Sequence, residues 1–83
     1  MELKEAQEIF NSILDLCYDS GNPELIEVAE SIYPDTEAAE EPEDIIEACE
    51  EITIAINRID ILADEEEFIL EIQELIDKLN EEN

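Results

Sequence analysis

Apolar side chains recur every three or four residues along most of this chain, and that spacing is typical of one face of an α-helix. In the first segment, from about Glu2 to Tyr18, the regularly spaced apolar residues are Leu3, Ala6, Phe10, Ile13 and Cys17. Gly21 favours the left-handed backbone conformation that often ends a helix. We therefore predict a long first helix that ends just before Gly21.

The second helix is predicted to be short. Asn22 is a good N-cap, Pro23 suits the first turn, and Glu24 is placed favourably against the positive end of the helix dipole. Its broad apolar face consists of Leu25, Ile26, Val28, Ala29, Ile32 and Tyr33. Because a proline disfavours helical geometry in the residue before it, Pro34 should end this helix.

Residues 34–41 have no strongly apolar side chain and contain four carboxylates. Because of this charge and the lack of a strong apolar residue, we predict a well-solvated connecting loop. The loop could include a single helical turn that starts at Asp35 or Thr36.

Pro42 begins the longest periodic segment, which extends to about Ala63. Its apolar residues alternate steps of four and three, and they are Ile45, Cys49, Ile52, Ile56, Ile59 and Ala63. A strand would place apolar residues at every second position, so this pattern predicts a third, long helix.

Two isoleucines of this third helix, Ile54 and Ile61, lie about 160° from the centre of its apolar stripe at 100° per residue. An apolar pair on the reverse side of a helix needs a second neighbour. Either this helix is central in the domain, or that side forms a contact between copies of the chain, such as a homodimer.

The fourth helix is predicted from Asp64, an N-cap with Glu67 three residues later. Its apolar stripe consists of Phe68, Ile69, Ile72, Leu75, Ile76 and Leu79. One bent helix over 42–79 is the alternative, but the main apolar stripe would then rotate by roughly 110° between its two halves. We expect a break near Ala63 and Asp64. The predicted fold class is all-α: a small helical bundle of three long helices plus one short helix, in a single acidic domain over 1–83.

Charge changes the picture more than any motif does. The chain has 27 acidic residues against 3 basic ones and no histidine, for a net charge of −24 over 83 residues. A compact chain of this length has a radius of gyration near ~12 Å. Its diameter is then roughly 30 Å, and a length of DNA duplex of roughly 30 Å carries roughly 18 charges. Self-repulsion of this size opposes folding, so we infer that it serves recognition of a basic partner.

Several classes of function are not expected. A chain without histidine and with one glycine lacks the usual proton-transfer residue and any phosphate-binding loop, so we predict no enzyme and no cofactor. The acidic residues show no calcium-loop spacing, so no metal is predicted. Direct nucleic-acid binding is opposed by charge. The longest apolar run is three residues and the N-terminus has no apolar signal segment, so we expect a cytoplasmic protein without membrane contact.

Cys17 and Cys49 both fall on apolar helical stripes. We interpret them as reduced, buried thiols that pack as small apolar side chains. A single disulfide between them is the alternative. Two cysteines without histidine do not make a zinc site.

The carboxylates form rows on the predicted helix exteriors, with neighbours about 5–6 Å apart at Cβ, a spacing similar to that of successive phosphates. These candidate partner-binding residues are Glu24, Glu27, Glu30, Glu43, Glu47, Glu50, Glu51, Glu67, Glu71 and Glu74. They favour a decoy that mimics nucleic-acid charge and inhibits a basic nucleic-acid-binding protein. In composition the chain is similar to phage anti-restriction and related inhibitors of bacterial defence. The alternatives are an acidic adaptor or assembly module that docks a basic protein without mimicry, and a merely solvated acidic domain.

One local pattern resembles a known family. The chain begins Met-Glu-Leu-Lys, and Tyr33-Pro34 is followed eight residues on by Pro42 and then by Ile45-Ile46. These residues resemble those of the small acidic immunity proteins that neutralise colicin DNases. That family differs in having two adjacent tyrosines, a longer second helix and less chain after its last helix begins. The resemblance implies that Tyr33 and the acids of the second helix contact a nuclease. Without the resemblance, Tyr33 is an apolar anchor at a helix end.

Overall fold

The computed structural model describes residues 1–60 and 62–81. Within them lie four helices, α1 Leu3–Ser20, α2 Pro23–Glu37, α3 Pro42–Arg58 and α4 Glu66–Glu81, and no strand. The radius of gyration is 11.8 Å and the principal extents are 35 × 23 × 19 Å. The predicted all-α bundle is confirmed.

Helices α1 and α3 form the centre of the bundle, because each of them packs against all three other helices. Helices α2 and α4 flank this pair and do not contact each other in the described part of the chain. Helix α2 is therefore bordered by a groove against α1 on one side and a groove against α3 on the other. This arrangement positions the candidate sites described below.

The core is continuous and contains most of the predicted stripe of each helix, although Tyr33 and Ala63 are exposed. Helix α1 contributes Ala6, Phe10, Ile13 and Cys17, all at most 1% exposed. The other buried apolar residues are Leu25, Ala29, Ile32, Ile45, Cys49, Ile52, Ala55, Ile56, Ile69, Ile72, Ile76 and Leu79. Because isoleucine dominates this set, burial of branched aliphatic area is the main stabilising contribution.

The predicted junction between the first two helices is confirmed. Gly21 has φ 71°, in the left-handed region, and its N–H donates to the Tyr18 carbonyl. The Asn22 side-chain oxygen accepts from the backbone N–H groups of Glu24 and Leu25, at 3.0 and 3.2 Å. Its Nδ2 donates to Glu65 Oε2 at 3.2 Å, so the cap also ties α2 to the segment that leads into α4.

The predicted end of the second helix at Pro34 was wrong, because α2 continues for one more turn to Glu37. Tertiary contacts offset the hydrogen bond that Pro34 cannot donate. Thr36 is buried, its hydroxyl donates to the Tyr33 carbonyl at 2.8 Å, and its carbonyl accepts from Gln7 Nε2 of α1 at 3.3 Å. Only residues 38–41 of the predicted loop are non-helical.

A break between the third and fourth helices is confirmed, but it comes earlier than predicted. Helix α3 ends at Arg58, and the extended backbone of Ile59 (φ −87°, ψ 154°) stops it five residues before Ala63. The chain must reverse there so that α4 can pack against α1. Glu65, rather than the predicted Asp64, directly precedes the first helical residue, and its carbonyl accepts from the Ile69 N–H at 3.1 Å.

For the reverse side of the third helix, we predicted either a central position in the domain or a contact between copies of the chain. The fold answers only the first of these. Helix α3 is indeed one of the two central helices. Ile54 nevertheless remains 48% exposed, so the neighbouring helices leave about half of its side chain uncovered. Ile61 lies outside the described residues. A contact of Ile54 and Ile61 with a second copy stays a prediction.

Candidate functional site: two grooves along helix α2

All ten glutamates predicted to bind a partner are solvent-exposed, but they do not share one surface. Three lie on α2, four on α3 and three on α4. Glu47, Glu50 and Glu51 of α3 share one groove, whereas Glu24 and Glu27 of α2 line a different cavity at the other end of the interface between these two helices. The row on α4 lies on a helix that α2 does not touch.

Several carboxylates are grouped where the second half of α2 meets the first half of α3. A groove of about 520 Å³ there, which we call the acidic groove, is lined by Ile32, Asp35, Ala38, Ala39, Asp44, Glu47, Ala48, Glu50 and Glu51. Five of its nine lining residues are carboxylates and none is basic. Three alanines and Ile32 form the rest of the lining.

Two of these carboxylates, Asp35 and Asp44, were missed by sequence reasoning. Asp35 was assigned to a loop because Pro34 precedes it, and the continued helix carries it to the groove. Asp44 lies in the first turn of α3, where its Oδ2 accepts from the Glu41 backbone N–H at 3.3 Å. Its spacing of three residues from Glu47 was the available signal, because residues three apart are neighbours on a helix.

The opposite end of the same interface is less purely acidic. A second cavity of about 410 Å³ is lined by Glu24, Glu27, Val28, Ser31, Ala55 and Arg58. Arg58 is one of the three basic residues of the chain, and it moderates the charge at this end. The remaining basic residues, Lys4 and Lys78, lie on α1 and α4.

The other predicted residues fall elsewhere. Glu67, Glu71 and Glu74 form a row on α4, away from α2. Glu43 is exposed in the first turn of α3. Glu30 faces the opposite side of α2 and lines the groove against α1.

That groove differs in character, because two tyrosines line it. It has a volume of about 300 Å³ and is formed by Asn11, Leu14, Asp15, Tyr18, Glu30 and Tyr33; we call it the tyrosine groove. Tyr18 is 46% exposed and Tyr33 38% exposed, while the Tyr33 ring packs against the buried Phe10 ring with centroids 6.4 Å apart. Sequence reasoning treated Tyr33 as an apolar anchor and did not single out Tyr18. The signal was their position beside the apolar stripes, with Tyr18 four residues after Leu14.

Hydrogen bonds hold both tyrosine hydroxyls. Tyr18 donates to the Glu30 carboxylate and Tyr33 donates to the Glu37 carboxylate. Partial burial, followed by the Glu30 charge and hydrogen bond, raises the pKa of Tyr18 above 10.0. For Tyr33, the hydrogen bond and charge of Glu37 are the leading causes of a raised pKa. Folding therefore favours the protonated form of each tyrosine.

The two cysteines are free and buried, which confirms the predicted reduced thiols. Burial raises the pKa of both Cys17 and Cys49 from 9.0 to about 12. Reactivity requires the thiolate, so these side chains act as core residues.

A third surface feature lies between α3 and α4. Ile54 and Ile46 there line a cavity of about 330 Å³ together with Glu50, Thr53, Ile76 and Asn80. Leu62 and Leu70 are also exposed. Among residues 1–60 and 62–81, no three acidic or cysteine side chains are grouped so that they could hold a metal ion. In the same ranges, no helix is both long and apolar enough to pass through a membrane.

In comparisons with known proteins, no family model, curated protein or solved structure matches this chain. The local resemblance to the immunity proteins therefore stays a prediction.

Proposed function

We propose that this protein is an acidic inhibitor that occupies the nucleic-acid-binding surface of a basic protein through the acidic groove. The observation on which this proposal depends is the grouping of five carboxylates, Asp35, Asp44, Glu47, Glu50 and Glu51, around one groove with no basic lining residue. A cationic partner would relieve the repulsion among these groups.

Dimensions support a nucleic-acid decoy. The long axis of the protein is 35 Å, and a duplex of that length carries about 20 phosphate charges. The protein has a net charge of −24, on a surface of 5107 Å². Its charge per unit length is thus close to that of the polymer it would replace, and a surface that clamps phosphates would attract it over a similar range.

Capture on the immobilised protein, from a lysate of the source organism, tests this function. We expect the captured protein to bind nucleic acid, and duplex DNA or RNA to displace it competitively. The affinity should fall steeply between about 50 mM and about 200 mM salt, because the attraction is between exposed charges.

Two charge-matched triple variants test the groove itself. Glu47→Lys with Glu50→Lys and Glu51→Lys reverses three charges at the acidic groove. Glu67→Lys with Glu71→Lys and Glu74→Lys makes the same change on α4. We expect the first to weaken binding by about tenfold or more and the second to have a clearly smaller effect, with both helical by circular dichroism.

Equal losses in the two variants would show attraction to net charge alone and contradict the groove. A captured partner that binds no nucleic acid would contradict the decoy and favour the adaptor function. Capture of no protein would leave a solvated acidic domain.

A further inference from the structure

The tyrosine groove has a chemistry that the decoy function does not use. It is the place where exposed aromatic area and carboxylates meet, since Tyr18 and Tyr33 line the same cavity as Asp15 and Glu30. The acidic groove, in contrast, has no aromatic lining residue. A bulky cation is therefore better matched to the tyrosine groove than to the rest of the α2 surface.

The size of the cavity limits what it can hold. At about 300 Å³ it lies at the small end of the range for ligand sites, roughly 300–1,000 Å³. That volume suits one long side chain. Leu14, which packs partly against the core, adds an apolar wall for the methylene part of such a side chain.

The walls of the groove are also preorganised. The Phe10 ring supports the Tyr33 ring from the core, with centroids 6.4 Å apart and planes inclined by 37°. The Glu30 carboxylate lies near the Tyr18 hydroxyl and raises the pKa of Tyr18. A bound cation would meet a ring that the core already supports, so little ordering of that ring is required on binding.

We propose that the tyrosine groove binds an arginine side chain of the basic partner, with the guanidinium on a tyrosine ring and its N–H groups donating to Glu30 and Asp15. Arginine fits better than lysine, because its planar group stacks on aromatic rings and donates in a fixed fork to carboxylates. The inference rests on the proposed function only for the identity of the partner, since the site itself is a property of this chain.

The experiment uses N-acetyl-arginine amide as the probe and N-acetyl-lysine amide as its matched competitor. The chain has two tyrosines and no tryptophan, so its intrinsic fluorescence reports on this groove alone. We expect a saturable change with the arginine probe, and an affinity about two- to fivefold higher than for the lysine probe.

Substitutions inside and outside the tyrosine groove test where the arginine probe binds. Tyr18→Leu should weaken arginine binding by about two- to fivefold, with Tyr33 as the remaining reporter. Glu30→Gln should weaken it by a similar factor. Glu71→Gln on α4 changes the net charge equally and should leave it unchanged. If a tyrosine variant fails to fold, Glu30→Gln against Glu71→Gln still decides the question.

Equal affinity for the two probes, or equal loss in Glu30→Gln and Glu71→Gln, would overturn the arginine site and indicate general counterion attraction. These outcomes are independent of the capture experiment. The arginine probe can bind while no nucleic-acid-binding partner is found, or a partner can be found while the probe fails.

Discussion

Helix α2 separates two grooves that differ in what they offer a partner. On the α3 side, the acidic groove presents five carboxylates among alanines and one isoleucine. On the α1 side, the tyrosine groove presents two carboxylates, two aromatic rings and Leu14. Both are anionic, yet one has almost only charge and the other combines charge with apolar area.

The difference shows how two grooves on one small surface can contribute to different steps of binding a partner. Exposed charges act over a Debye length, about 8 Å at physiological salt, so in the proposed complex the acidic groove would govern encounter rate and salt dependence. Aromatic contact acts only at short range and depends on geometry, so the tyrosine groove would govern dissociation of that complex. Three measurements on the isolated protein break or sharpen this comparison.

The largest effect is expected from truncating Phe10, whose ring supports the Tyr33 ring of the tyrosine groove. Phe10→Ala should lower the free energy of unfolding by about 3–5 kcal/mol, because Phe10 is 1% exposed and its removal leaves a cavity. It should also change tyrosine fluorescence before the urea transition, since the Tyr33 ring loses its neighbour.

Leu79→Ala on α4 is the control for that experiment. Leu79 is fully buried, and its truncation should cost about 2–5 kcal/mol. Because Leu79 does not line the tyrosine groove, the folded variant should keep the tyrosine fluorescence of the parent protein. Equal fluorescence changes in the two variants would show that the groove has no local support from Phe10.

The second effect is in alkaline titration. The pKa values of Tyr18 and Tyr33 are raised above 10.0 in the folded protein, so folding favours the protonated phenols. This stabilisation is present in full below about pH 10 and is lost as the pH rises through the folded pKa. Near-ultraviolet absorbance of tyrosinate should show a midpoint above 10.0 in the native protein and a lower one in urea.

One substitution assigns that shift to the groove. Glu30→Gln removes the charge beside Tyr18, so the pKa of Tyr18 should fall towards 10.0. The acidic groove contains no tyrosine, and Glu47→Gln should leave the titration unchanged. An unshifted midpoint in Glu30→Gln would contradict the hydrogen bond between Tyr18 and Glu30.

The smallest expected effect is a difference in the free energy of unfolding between a variant of the acidic groove and a variant of the tyrosine groove. Glu47→Gln should raise the free energy of unfolding by a few tenths of a kcal/mol at low salt, because it relieves like-charge repulsion along α3. Glu30→Gln should bring no such gain, since it also weakens a charge-assisted hydrogen bond. Urea unfolding at low and high salt measures both. A gain in Glu47→Gln that persists at high salt would contradict an electrostatic cause.

Local chemistry predicted much of the fold. Gly21 and Asn22 define the first junction through their own backbone and side-chain preferences, and the structure shows both as expected. The stripe of α1 was predicted residue by residue, because a helix of period 3.6 leaves little choice about which side is buried.

The errors arose where local preference and tertiary contact disagree. Pro34 disfavours helix, yet the buried Thr36 and its contact with Gln7 extend α2 past it. The periodicity of α3 continues to Ala63, yet the helix ends at Arg58 because the chain must return to α1. These two helix ends depend on packing against residues that are distant in the sequence.

The candidate site shows the same division between what local sequence predicts and what the packing of the helices decides. The excess of carboxylates and their exposure could be predicted from composition and helical spacing, because charged side chains are rarely buried. Their assignment to grooves could not, since it depends on which helices touch. Glu30 and Asp35 both lie on α2, but Glu30 lines the tyrosine groove and Asp35 lines the acidic groove.

The sequence alone determined that this chain is helical, that the regularly spaced apolar side chains of each helix form its core and that its surface is strongly anionic, because these properties follow from residue type and spacing within each helix. Only the tertiary structure decided that α1 and α3 are central, that α2 and α4 lie apart, and that Tyr18 and Tyr33 share a groove. The physical reason is that contacts between helices depend on how their faces pack together, which no single segment specifies.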